Sequence, residues 1–173
     1  GGYFGGISTQ VVGVTIVTGT GEIREITAAV GTRPGAEQLL DTAVALSKAA
    51  DVPLRLASLV ALDEIRGGRA ADDEVRRHAL DHAAKTLDAA RAALPAEFPV
   101  SAVAVDGVSV ESAVNLLEWH DGDLILVGSS RLGHGRVFIG ARARRLLRVL
   151  PVPVVVIPRR TLTGAARADD AQA

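Results

Sequence analysis

A chain of 173 residues, 48% of them apolar and 23% charged, is long enough to bury a core and too apolar to be disordered. The lack of cysteine excludes disulfides and thiolate metal sites and fits a reducing compartment, and no apolar run approaches the ~20 residues that span a bilayer. Formal net charge is only −1, yet residues 131–160 hold eight arginines and no acid. That segment suits a phosphate-bearing partner and reads equally well as a solvated basic helix face.

Residues 1–22 are rich in Gly and Thr around the strand-like run Val11 to Val17. That run contains Gly13 and Thr15 and has no basic flank, so it is not a signal peptide. The chain starts at Gly1 and has no methionine, so it reads as a piece of a longer protein, with residues 1–22 a linker or the remnant of a preceding domain. One domain is expected over 23–160, followed by a flexible tail over 161–173. Arginine outnumbers lysine 17 to 2 amid abundant alanine, which speaks of a biased genome more than of a function.

From Ile23 the pattern turns regular. Ile23 to Val30 alternates as a strand, with Ile26, Ala28 and Val30 on one face. Gly31-Thr32-Arg33-Pro34 turns the chain, and Pro34 suits a helix first turn. Ala36, Leu39, Leu40, Ala43, Leu46 and Ala50 then recur at helical spacing. Leu54 to Val60 is a second strand, and 61–71 a polar loop. Asp72 is placed to cap a long helix with the stripe Val75, Ala79, Ala83, Leu87, Ala90 and Leu94. Val100 to Val105 is a third strand. Ser109 is placed to cap a helix ending near Trp119 and His120, and Gly122 stops it. Leu124 to Val127 is apolar throughout, as in a strand buried on both faces. Gly140 to Val149 is a fourth helix and Val152 to Ile157 a fifth strand.

Strands alternating with helices in the order β-α-β-α-β-α-β-α-β imply an α/β fold, a parallel sheet with right-handed crossovers and helices on both faces. Pro153 cannot donate to a ladder, so the last strand belongs at an edge, where its apolar run invites a pairing partner. Ligands of such sheets sit beyond the strand C-termini at the switch point, which singles out the loops after Val30 and Val127. The second of these loops is glycine-rich and opens a helix, so it aims N–H groups and a helix dipole at one place, as an anion site does.

The run Asp123-Leu124-Ile125-Leu126-Val127-Gly128-Ser129-Ser130, then Arg136-Val137-Phe138-Ile139-Gly140, Leu146-Leu147-Arg148 and Pro151-Val152-Pro153-Val154-Val155-Val156-Ile157-Pro158 resembles the universal stress protein family. The resemblance extends over about 23–158. The stretch from Ser112-Ala113-Val114 through Leu117-Glu118-Trp119 to Asp121-Gly122-Asp123 is similar to actinobacterial members with two tandem domains, and to their C-terminal domain. The resemblance implies a five-stranded parallel sheet of order 3-2-1-4-5 and a cytoplasmic, non-catalytic stress-response regulator. It also implies a homodimer or tandem-domain pairing through the last strand, Val152 to Ile157, with neither membrane nor nucleic acid as partner.

Many members of the family bind ATP and others do not. The binders carry Gly-x2-Gly-x9-Gly-Ser/Thr after the fourth strand and an Asp just after the first. Gly128 matches the first glycine and Gly140 the last, but Arg131 stands at the middle glycine and the spacing is one residue short. Gly133 and Gly135 are the nearby alternatives. Ala141 stands where the binders have a phosphate-contacting hydroxyl, and Gly31 where they have the Asp. Each lost hydrogen bond costs about 0.5–1.5 kcal/mol, so one to two decades in affinity are at stake. Ser129, Ser130, Arg131, His134 and Arg136 are placed to compensate. The expected site for ATP or another adenine nucleotide, with magnesium only as the nucleotide's companion, is therefore Val30, Gly31, Gly128, Ser129, Ser130, Gly133, Gly140 and Ala141. The alternative is an interaction or dimerisation module that has lost nucleotide binding.

Other signals have plainer explanations. Gly128 and Gly140 could serve tight turns and helix packing alone. His78 and His82 have metal-ligand spacing but no third ligand and a solvent-facing helix face. His120 is expected to end a helix and complement its dipole, Trp119 to fill the core or a dimer contact, and Asp72-Asp73-Glu74 to stabilise a helix start. Asp106 and Asp123 border turns. A nucleotide-using enzyme of the wider superfamily would need a Ser-Gly-Gly-x-Asp-Ser loop, which Val30 to Pro34 does not resemble. Neither a Ser/His/Asp set nor a Gly-x4-Gly-Lys loop appears. DNA binding by the arginine helix lacks a helix-turn-helix context.

Overall fold

The computed structural model describes residues 21–31, 36–61, 72–129 and 141–158, with residues 72 and 141–143 described by their backbone alone. The elements are β1 (Glu25–Ala29), α1 (Ala36–Ala50), β2 (Leu54–Ala61), α2 (Asp72–Ala92), β3 (Val100–Gly107), α3 (Val110–Asn115), β4 (Asp123–Gly128), α4 (Ala141–Val149) and β5 (Val154–Ile157). The sheet has the order β3-β2-β1-β4-β5, with every neighbouring pair parallel. This is the expected architecture, and β5 lies at an edge. None of the described helices is long and apolar enough to cross a membrane. The Val11–Val17 run, the Pro34 turn, most of the 61–71 loop and the 161–173 tail lie outside the described residues.

Period-two alternation explains the two cores. Ile26, Ala28 and Val30 of the first strand segment, Leu54 and Leu56 of β2, and Leu124 and Leu126 of β4 pack under α1 (Leu39, Leu40, Ala43) and α2 (Leu87, Ala90). The opposite face, with Ala57, Leu59, Ile125 and Val127, packs under α3 (Val110, Ala113, Val114) and α4 (Leu146). β4 therefore sends alternate side chains into both cores, and its four apolar residues are each buried, for about 1.5–3 kcal/mol apiece. That double burial is why its sequence is apolar without alternation.

Most strand boundaries shift by one or two residues, and three boundaries that differ from expectation have a clear cause. α3 stops at Asn115, with Leu116 as its C-cap, instead of running on to Trp119 and His120. The Trp119 indole N–H donates back to the Val114 carbonyl at 3.0 Å, closing the helix end. β3 continues past Val105 to Gly107, because β2 offers partners as far as Ala61. β5 begins at Val154, after two prolines that have no N–H to give a ladder.

Candidate functional site

β1 and β4 lie side by side in the middle of the sheet and are in register up to the pair Ala29 and Val127. The chain leaves β1 towards α1 on one face and leaves β4 towards α4 on the other, so this is the switch point of the sheet. No further pair joins the two strands beyond this one. The Val30 N–H donates to Ala57 of β2 at 2.8 Å, while the Ser129 N–H donates to Ile157 of β5 at 2.8 Å. Both bonds continue the alternation of their strands, and beyond the end of the β1–β4 ladder lies the place where open α/β sheets have their ligand crevice.

Gly31 and Gly128 flank the crevice, and both are exposed. Among the described residues, nothing lies within 4 Å of a Cβ built on either, and neither takes a left-handed φ. Among the described residues, neither packing nor backbone strain accounts for these two glycines. Val30 and Ser129 are both 5% exposed, and the Val30 side chain belongs to the core beneath α1. Ser130, Gly133 and Gly140, with Arg131, His134 and Arg136, lie outside the described residues. Ala141 opens α4, whose first turn holds no acid to offset its partial positive charge.

α4 is fixed by its neighbour. The Arg145 guanidinium donates to both oxygens of Glu111 in the first turn of α3, at 3.3 Å and 2.8 Å, and Leu146 is buried beneath it. Hydrogen bonds from Arg145 and from its own backbone N–H hold the Glu111 carboxyl down at about 2. α3 in turn is set by Ser109, whose side chain caps it in a reciprocal box with Ser112. Gly107 brings β3 against this cap so closely that a Cβ there would lie 2.5 Å from the Ala113 nitrogen.

Several polar residues play parts that sequence reasoning missed. Asp106 does more than border a turn. It stands in β3 and accepts Arg76 of α2 at 2.7 Å and 2.6 Å, which raises the Arg76 pKa and ties α2 to the sheet. Asp123 likewise needs more than a turn to explain it. It is 1% exposed, and its Oδ2 accepts the His120 N–H at 2.8 Å, with the His120 ring 3.5 Å away. His120 is therefore part of the turn entering β4 and does not terminate a helix. Arg55 reaches across the sheet face to Thr27 Oγ1 (3.0 Å), Glu25 (3.3 Å) and the Glu118 carbonyl (3.2 Å), with its guanidinium 5.1 Å from the Trp119 ring centroid. Trp119 thus packs on the α3–α4 core and carries a cation. His78 and His82 are exposed, and no group of three His, Cys, Asp or Glu among the described residues is arranged to hold a metal.

Comparison with known proteins points one way. Residues 22–158 match the sequence model of the universal stress protein family. Universal stress proteins of Mycobacterium tuberculosis and Mycobacterium bovis are 36% identical over 55 residues, 31% of this chain. The match spans 19% of those relatives' own length. Among solved structures, the universal stress protein UspA from Lactobacillus plantarum superposes with a TM-score of 0.61 at 20% identity, over 79% of this chain and 98% of that one. The universal stress protein from Archaeoglobus fulgidus, solved in complex with dAMP, gives a TM-score of 0.55 at 18% identity, over 78% and 97% of the two chains.

Proposed function

Because the chain belongs to the universal stress protein family, we propose that it is a regulatory, non-catalytic domain that takes an adenine nucleotide in the crevice between the ends of β1 and β4. The observation that carries this reading is the switch point between β1 and β4, where each strand end leads to an exposed glycine that the described structure does not otherwise require. A glycine lets the backbone approach a ligand closely, and the start of α4 brings its dipole to the same loop. The dAMP complex of the Archaeoglobus fulgidus relative supports the ligand class. The nucleotide's phosphates would meet the α4 end and the arginine-bearing loop, and magnesium belongs to the reading only as their companion. In this reading the protein works in the cytoplasm and pairs with a second copy, or a tandem domain, through the free edge of β5.

The competing reading, a pairing module that has lost its ligand, draws support from Gly31 and Ala141. Both stand where nucleotide-binding members carry a contacting side chain. One experiment separates the two. Purified protein is denatured, its supernatant is analysed for nucleotide, and the emptied, refolded protein is titrated with ATP. Released adenine nucleotide, or saturable binding below millimolar ATP, supports the sensor. Neither nucleotide nor binding at millimolar ATP overturns it in favour of the pairing module.

A further inference from the structure

The sheet's other end, where β4 and β5 begin, carries a pocket of about 340 Å³. Its apolar walls are the Trp119 indole, Val152 and the prolines at 151 and 153, and its polar side is the turn from His120 to Asp123. The pocket lies at the opposite end of β4 from the crevice, and the nucleotide reading makes no use of it.

The charges beside this pocket are out of balance. Glu25 of β1 and Asp123 of β4 are paired residues of adjacent strands, so their carboxylates stand on the same face of the sheet. Arg55 comes to Glu25 at 3.3 Å, and its guanidinium lies over the Trp119 ring. No described arginine or lysine does the same for Asp123. That residue is 1% exposed, its Oδ2 accepts the His120 backbone N–H at 2.8 Å, and its Oδ1 is buried without a hydrogen-bond partner among the described residues. The His120 ring stands 3.5 Å from Oδ2, is partly exposed, and carries charge only when protonated. Asp121, in the same turn, is exposed and makes no ion pair with any described residue. A buried carboxylate left with a free oxygen is costly, and a cation close by lowers that cost.

We infer that this pocket binds a small organic cation, a primary alkylammonium with a short apolar stem. Its ammonium group has three donors and meets the exposed Asp121 directly, with the Asp123 charge behind it. The stem lies against Val152, the two prolines and the indole, of which Arg55 already covers one face. Apolar walls with a few converging polar groups are the usual make-up of a small-molecule site. The two carboxylates repel an anion. A metal ion does not suit the place, since no group of three His, Cys, Asp or Glu among the described residues is arranged to hold one. The inference stands apart from the nucleotide reading and survives its failure.

Trp119 is the chain's single tryptophan and lines the pocket, so its emission reports on occupancy. The test titrates diaminobutane into the unmodified chain at constant ionic strength, with butanediol as the neutral control and magnesium chloride as the inorganic one. The same titration is run on Asp121→Asn, which alters an exposed side chain, and on Asp123→Asn, which keeps an oxygen to accept the His120 N–H. The expected result is a saturable emission change at millimolar diamine, with none from the diol or from magnesium. Asp121→Asn should weaken binding about threefold and Asp123→Asn about tenfold. No saturable change in the unmodified chain overturns the inference, and so does an equal response to the diol or to magnesium. An Asp121→Asn chain that binds the diamine as tightly as the unmodified one overturns it as well, whether or not the Asp123 variant folds.

Discussion

The two ends of β4 are built on opposite plans. At its start, the backbone is held in place. Gly122 takes φ +91°, its carbonyl accepts the Arg24 N–H at 2.8 Å, and the Asp123 carboxylate closes the turn onto His120. At its finish, no β1 partner follows the pair of Ala29 and Val127, and Gly128 stands exposed with no described atom where its Cβ would be. A glycine at the first end answers to the backbone, and a glycine at the second answers to nothing inside the described fold. The same residue type therefore marks structure at Gly122 and, in the proposed reading, a ligand cleft at Gly128. What separates them is whether the position can hold a side chain.

Substituting glycines at both edges tests that contrast most strongly. Gly122→Ala should lower stability by about 1–3 kcal/mol, because a left-handed φ is strained for alanine and the Cβ would lie 2.8 Å from the Glu22 carbonyl. Gly107→Ala should cost a comparable amount, about 1–3 kcal/mol, through its clash with α3. Gly128→Val should change stability by no more than about 0.5 kcal/mol, yet weaken ATP binding about tenfold or more. Urea unfolding and calorimetric titration of the three variants check this, and a Gly128 variant as unstable as the Gly122 variant would erase the distinction.

The tied end can also be loosened through its side chains. Thr27→Val keeps the shape but removes the acceptor of the Arg55 Nε–H, leaving a second orphan donor beside the already unpartnered Nη2. A loss of about 1–3 kcal/mol in urea unfolding is expected, together with a shift in Trp119 emission. At the open end, Ala141→Ser restores a hydroxyl at the start of α4 and should tighten ATP binding by about 0.5–1.5 kcal/mol, up to roughly tenfold.

The smallest effect concerns the strut beneath the open end. Glu111 is lowered from its ordinary 4.5 to about 2 by Arg145. A folded-state pKa below the unfolded one gives stability that is fully present above pH 4.5 and is lost as pH falls towards 2. Glu111→Gln should therefore make the fall in melting temperature between those pH values shallower, and should leave the neutral-pH slope unchanged.

The sheet and its helices were legible because they rest on periodicity, which is local. Ile26, Ala28 and Val30 alternate, Leu39, Leu40 and Ala43 recur at helical spacing, and β4 is apolar throughout. All fall in the cores where their pattern puts them. The switch point was legible. Gly31 and Gly128 stand at the ends of β1 and β4, as the strand order implies, whereas the burial of Ser129 beside its bond to β5 is something no spacing reveals. Polar pairs were not legible. Arg55 finds Thr27 across 28 positions and Glu118 across 63, and Arg76 finds Asp106 across 30. Charged residues in a surface-like pattern look the same whether or not the fold supplies a distant partner. The end of α3 was misplaced for a related reason: the Trp119 indole, not a capping glycine, turns the chain back.

The central claim is that the open end of β4, and not the tied end, receives an adenine nucleotide. Titrating ATP into 15N-labelled protein while following backbone amide resonances tests it most directly. Saturable shifts concentrated at Gly31, Gly128 and the first turn of α4, with Gly122 and the Trp119 indole unmoved, are the predicted result. An unchanged spectrum at millimolar ATP, or shifts centred on Trp119 and Gly122, would contradict it.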